Sequence, residues 1–146
     1  MGGADFILCA GLLHEVEHPE ELLDDIRESM NSSTVVHIDV PNADSFHRVL
    51  AKEMGLIPDV HTFSDRNIQY QQHSVFDMEG LKSLVSDAGL KVIESGGYFL
   101  KPFTHAQMYQ MIQDGIIDKK TLDGLYAMTP LMEAYASEIY VNCILA

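Results

Sequence analysis

The sequence predicts an α/β domain in which a mainly parallel sheet carries helices on its flanks. A continuous apolar run, Phe6-Ile7-Leu8-Cys9-Ala10, has the pattern of a strand in a parallel sheet. A helical stretch opened by Pro19 separates it from a second strand-like run, and strand, helix, strand in that order implies a right-handed parallel crossover. Further on, a helical stretch stopped by Gly89 leads into two more β-rich runs. The 146 residues, 47% hydrophobic and 21% charged, are one domain's worth of ordinary globular composition, so residues 1–146 are read as a single domain.

The run Phe6 to Ala10 lacks polar interruptions, as strands buried on both faces do, and so is expected mid-sheet. Pro19 suits the first position of a helix, and Glu20 and Glu21 suit its positive end. Leu22, Leu23, Ile26 and Met30 form the apolar stripe of that helix, and Asn31-Ser32-Ser33 ends it. Thr34 to Val40 alternates, with Val36, Ile38 and Val40 on one face and Val35, His37 and Asp39 on the other. Phe46, Val49 and Leu50 predict a helix over Asp44 to Met54, stopped by Gly55.

Residues 56–73 show no sustained period and read as a loop or lid insertion. Asp77 is placed to cap a helix carrying Leu81, Leu84, Val85 and Ala88. Leu90 to Leu100 reads as a strand in which Gly96-Gly97 predicts a bulge or a close backbone approach. Two helices, Thr104 to Ile112 and Asp118 to Met128, precede a closing strand over Glu138 to Leu145.

Charge excludes some partners. With 22 acidic residues against 9 basic ones, the net charge of −13 repels nucleic-acid phosphates and anionic lipid surfaces. No apolar run approaches the roughly 18 residues of a membrane span. Cys9 and Cys143 both sit in apolar runs and read as free thiols of a reducing compartment, so a cytoplasmic protein is expected.

The segment His14-Glu15-Val16-Glu17-His18 fits the zinc-hydrolase pattern His-Glu-x-x-His, which needs both imidazoles on one helical face. Pro19 argues against that, because a residue before proline is pushed out of the α region. A zinc hydrolase is therefore the weakest of three functional readings, and no metal is expected.

Two segments together, "ADFILCAGLLHEVEHPEELLDDIRESM" and "TVVHIDVPNADSFHRVL", resemble the C-terminal half of class I S-adenosylmethionine-dependent methyltransferases. The later "FDMEGLKSLVSDAGLKVIESGGYFLKP" and "EIYVNCILA" are similar to that family's following helix and strand and to its last, antiparallel strand. The resemblance implies an incomplete Rossmann-like sheet holding the family's strands four, five, seven and six, in that order. It also implies that Cys9, Ala10, Gly11 and Leu12 line the methionine end of the methyl donor, with His14 as the candidate catalytic base. Glu15, Asp39, His61, Arg66, Tyr70 and His73 are the candidates for contacting the acceptor or closing over it, and His18 takes a helix-capping position.

The family holds most of its cofactor on a glycine-rich loop after its first strand and an acidic residue after its second. No strand here is followed by that pattern, because Met1-Gly2-Gly3 precedes one. The chain is thus expected to be the C-terminal part of a methyltransferase acting on a small-molecule acceptor, alone inactive or binding S-adenosylmethionine feebly. The second reading is a non-catalytic subunit that completes a partner methyltransferase. Both leave the outer edge of Phe6 to Ala10 open, so the chain is expected to form a homo-oligomer through that edge or to receive an N-terminal half from a parent or partner.

Overall fold

The computed structural model describes residues 4–69 and 72–146, apart from the side chain of Arg66. Ten main elements follow in order: β1 Phe6–Ala10, α1 Pro19–Ser29, β2 Val35–Pro41, α2 Phe46–Glu53, α3 Asp65–Gln69, α4 Met78–Asp87, β3 Leu90–Tyr98, α5 His105–Gln113, α6 Lys119–Met128 and β4 Glu138–Leu145. The strands form one sheet in the order β1-β2-β4-β3, with β1 and β2 parallel and β4 antiparallel to both its neighbours. That is the order the resemblance implies.

Alternation along the strands divides the sheet into a covered face and an open one. On the covered face Val36, Ile38 and Val40 of β2 lie opposite Cys143, Val141 and Ile139 of β4, all at most 2% exposed. Leu23 from α1 and Leu81 and Val85 from α4 close over this row to form the core. Each such side chain stabilises the fold by about 1.5–3 kcal/mol through burial. On the open face lie Phe6 and Leu8, then His37 and Asp39, then Tyr140 and Asn142.

Strand β1 has the apolar run of a mid-sheet strand but stands at the edge, with its outer side open as the strand order of the resemblance requires. It pairs only with β2 and occupies the edge, so its outward side chains Phe6 and Leu8 are 57% and 65% exposed while Cys9 is sealed in the core. An apolar run reports that a strand suits burial, not that this chain supplies both covers. Both cysteines are buried free thiols, and burial raises the pKa of each, that of Cys143 to about 11.

Local signals explain most helix boundaries. Pro19 and the acids Glu20 and Glu21 begin α1. The Asn31 side chain accepts from the Ser33 amide and ends the segment in a tight turn. Asp77 caps α4 by accepting from the Gly80 amide, and Thr104 and Asp118 each form a capping box at α5 and α6. Helix α2 begins later than expected, at Phe46, because Asp44 and Ser45 are taken up in a turn on Asn42, whose side chain accepts from the Asp44 amide and whose backbone carbonyl accepts from the Ser45 amide.

Residues 56–73 are not wholly irregular, since the five-residue α3 lies within them. Its short apolar content carries no periodic signal. Arg48 of α2 ties down the preceding turn, donating through Nε to the Val60 carbonyl at 2.9 Å and through a terminal nitrogen to the Thr62 carbonyl at 2.6 Å. Among the described residues no helix is long and apolar enough to cross a membrane.

In β3 the register shift falls between Val92 and Glu94 rather than at Gly96-Gly97. The two glycines serve the close approach instead. A Cβ on Gly96 would meet the Tyr140 ring at 2.7 Å and the Glu133 carboxylate at 2.8 Å, and one on Gly97 would collide with the Ala136 Cβ. The strand stops at Tyr98 because Phe99 turns through the left-handed region at φ 55°.

These environments predict opposite outcomes for one kind of substitution. Gly97→Ala should lower stability by about 1–3 kcal/mol through overpacking. Gly124→Ala in α6, where a Cβ meets nothing within 4 Å, should raise it by up to about 1 kcal/mol through helix propensity. Urea denaturation of the two variants checks both; equal effects would remove the close-approach account of β3.

Candidate functional site

Strands β1, β2 and β3 all finish at the same edge of the sheet, where β4 begins. Ligands of α/β sheets bind outside such carboxyl ends. The chain leaves β1 at Gly11, whose amide donates to both the Asp39 carbonyl at 3.1 Å and the Asp39 carboxylate at 3.0 Å. Asp39 thereby fixes the turn after β1 from the neighbouring strand.

Behind Asp39 runs a hydrogen-bonded row across the open face. The Asn142 amide donates to the Glu94 carboxylate at 2.7 Å, which turns its carbonyl oxygen towards His37 Nδ1, also at 2.7 Å. A carbonyl only accepts, so Nδ1 carries a proton, and on the other side of the ring Nε2 lies within hydrogen-bond distance of the Tyr98 hydroxyl at 3.3 Å. Asp39 Oδ2 lies 3.4 Å from the same Nε2. The expected pairing of His37 with Asp39 on one face therefore exists, within a larger network.

Of the residues expected to line the donor, Ala10 and Leu12 are exposed, Gly11 is half-buried, and Cys9 turns its thiol into the core. His14 is only 5% exposed. Its carbonyl accepts from the amides of His73 and Ser74, its Nδ1 is buried with no hydrogen-bond partner, and burial lowers its pKa. Glu15, half exposed, approaches His14 Nε2 to 3.9 Å.

The zinc pattern lacks the geometry it needs. Residues 13–17 are turns and bends, and α1 begins only at Pro19, so His14 and His18 share no helical face. His18 does occupy the position capping α1, although its side chain makes no capping bond. Among the described residues no group of three or more His, Cys, Asp or Glu side chains is arranged to hold a metal ion.

Beside the strand ends lies a polar cavity of about 300 Å³. Its floor comes from Pro41 and Asn42 at the end of β2, and Asn42 is locked by donating to the carbonyls of Ala134 and Ala136. Arg48, Asn67, Lys101, His105 and Glu138 complete the walls. Glu138, the first residue of β4, sits between Pro41 and Tyr98. Burial and the nearby Asp39 carboxylate push its pKa up to about 7, against the pull of Lys101. A smaller cavity of about 30 Å³ separates His14 from this space and shares Asn42, Arg48, Asn67 and Gln72 with it.

The expected lid residues do not converge here. His61 bridges Asp59 at 3.2 Å and Asp77 at 2.9 Å, clamping the loop to the start of α4. Burial opposes charge on His61, but those two carboxylates outweigh it and raise its pKa. His73 is exposed, and the Arg66 side chain and Tyr70 lie outside the described residues. The loop instead contributes Ser64, Asn67 and Gln72 to the cavity. Glu138, Lys101 and His105 were not among the expected site residues; the only sequence hint for Glu138 is an acid opening an otherwise apolar strand.

A family model described as a methyltransferase domain matches residues 2–95, more than half of the chain. No curated protein matches the sequence. Among solved structures, a SAM-dependent methyltransferase from Thermotoga maritima, described as a possible histamine N-methyltransferase, aligns with 97% of this chain at a TM-score of 0.58 and 12% identity. A SAM-dependent methyltransferase from Archaeoglobus fulgidus aligns with 97% at a TM-score of 0.52 and 12% identity. Phosphoethanolamine N-methyltransferase 2 of Haemonchus contortus, solved with S-adenosyl-L-methionine, aligns with 97% at 0.53 and 13%. The chain spans 56%, 59% and 33% of these three proteins respectively, so the likeness is one of fold over part of their length. On the sheet order and the family match together, the chain belongs to the methyltransferase domain family.

Proposed function

We propose that this chain forms the acceptor side of an S-adenosylmethionine-dependent methyl transfer to a small polar molecule. The observation that carries this reading is the polar cavity at the carboxyl edge, where Glu138 has a pKa of about 7. Two of the structural relatives are named for histamine and for phosphoethanolamine, which are small molecules.

S-adenosylmethionine supplies an electrophilic methyl group on a sulfonium, so the protein's task is to align an acceptor lone pair and to remove a proton where the acceptor carries one. Ala10, Gly11 and Leu12 suit the methionine end of the donor. Their ledge is open, a Cβ at Gly11 would meet nothing within 4 Å, and Asp39 holds the Gly11 amide in place. The core-facing Cys9 thiol takes no part. Glu138 is matched to proton removal near neutral pH and lines the acceptor's cavity directly. His14 lines the smaller cavity, and its lowered pKa makes it a weaker base than an ordinary imidazole. No described strand leads into a glycine-rich turn, so donor affinity in this chain alone rests on the ledge and is feeble.

A second reading concerns association. The open edge of β1, with Phe6 and Leu8 mostly exposed, favours pairing with a strand of a second copy. A non-catalytic subunit that completes a partner methyltransferase would use the same edge.

Titration of the chain with S-adenosylmethionine, followed by backbone NMR shifts, should move Ala10, Gly11, Leu12 and Asp39 with a Kd in the millimolar range, roughly −4 kcal/mol of binding. Shifts confined to other regions at saturation would overturn the donor assignment. A second test concerns Glu138. Its raised pKa means that the folded state binds its proton more tightly than the unfolded chain does. The associated stability is full below about pH 4.5 and is lost as pH rises through about 7. Urea melts at pH 5 and pH 8 should differ by on the order of 2 kcal/mol more in the parent than in Glu138→Gln. For the edge, sedimentation should give a dimer that Leu8→Lys converts to monomer. A monomeric parent with fast amide exchange over residues 6–10 would exclude pairing through β1.

A further inference from the structure

A separate cavity of about 230 Å³ lies at the end of β3 and shares no lining residue with the polar cavity. Its walls are the rings of Tyr98, Phe99, Tyr126 and Tyr140, with Pro130 and the carboxylate of Glu133. No basic side chain lines it. The backbone around it is unusual in three ways at once. Gly96 and Gly97 carry no side chain, which lets the Tyr140 ring and Glu133 lie against the strand, and Phe99 accepts a left-handed conformation disfavoured for a bulky residue.

The rings form a cluster. Tyr98 and Tyr140 stack with centroids 4.8 Å apart and Tyr140 and His37 with centroids 5.3 Å apart, and His37 and Tyr98 are tilted to each other at 6.2 Å. The surrounding charge is negative. Burial raises the pKa of Tyr98 and Tyr140, and the neighbouring carboxylates of Asp39, Glu94 and Glu133 raise one or both further.

We propose that this cavity is a binding site for a small organic cation with an alkylated ammonium head, held over the tyrosine rings and neutralised by Glu133. Aromatic faces attract cations through their quadrupole, quaternary ammonium groups are recognised by cages of this composition, and a single carboxylate supplies the counter-charge. The site shares no lining residue with the acceptor cavity and does not rest on the methyl-transfer reading.

The test uses choline and its neutral isostere 3,3-dimethylbutan-1-ol as probes, titrated into the chain and followed by ring resonances of the tyrosines. Choline should shift Tyr98, Tyr126 and Tyr140 and bind at least about tenfold more tightly than the isostere. Glu133→Gln and Tyr126→Ala, both at exposed positions, should each weaken choline severalfold, and Glu133→Gln should leave the isostere unchanged. Equal affinity for the two probes would show a plain apolar groove and overturn the proposal. So would choline shifts centred outside these rings, or no shift at about 0.1 M choline.

Discussion

The antiparallel pairing of β2 with β4 is the constraint on which the rest of the molecule depends. It sets Val36, Ile38 and Val40 against Cys143, Val141 and Ile139, joining residues some hundred positions apart into the buried row that α1 and α4 cover. Because strand side chains alternate, the same register places His37 against Asn142, Asp39 against Tyr140 and Pro41 against Glu138 on the other face. A slip of one residue would bury the histidine and the carboxylates and expose the core. The hydrophobic term thus fixes the polar chemistry, although it touches none of it.

What could be read in advance follows from this division between near and distant contacts. Proline and acids at the start of α1, the Asp77 cap, the glycine stop at Gly89 and the alternation of β2 are local signals, and each specifies its element. The order of the strands was legible only through the family resemblance, since periodicity says that a strand exists and not beside which strand it lies. Glu138 carried no local signal because its raised pKa arises from the fold, where burial and Asp39 act on it together. Cys9 came to the donor-lining set through the resemblance, and alternation turns its thiol into the core. Residues 56–73 lacked a period, and what organises them is the reach of Arg48 and His61 from outside or within the loop to distant partners.

The two faces of the sheet have been given different work. The covered face is dry and made of aliphatic side chains, which pack without preferring particular ligands. The open face carries a connected row from Glu94 through Asn142 and His37 to Tyr98 and Asp39, in which each donor and acceptor constrains the next. Such a row holds rings and carboxylates in set orientations at modest depth. That is the arrangement a recognition surface needs, and it explains why so many polar groups can be tolerated beside the apolar edge of β1.

Arg48 satisfies the carbonyls of Val60 and Thr62 in the long connection after α2 and at the same time lines the polar cavity. One guanidinium therefore serves both as a fastening for that connection and as part of the cavity wall. The shape of that wall is thereby coupled to the path of the chain through Val60 and Thr62.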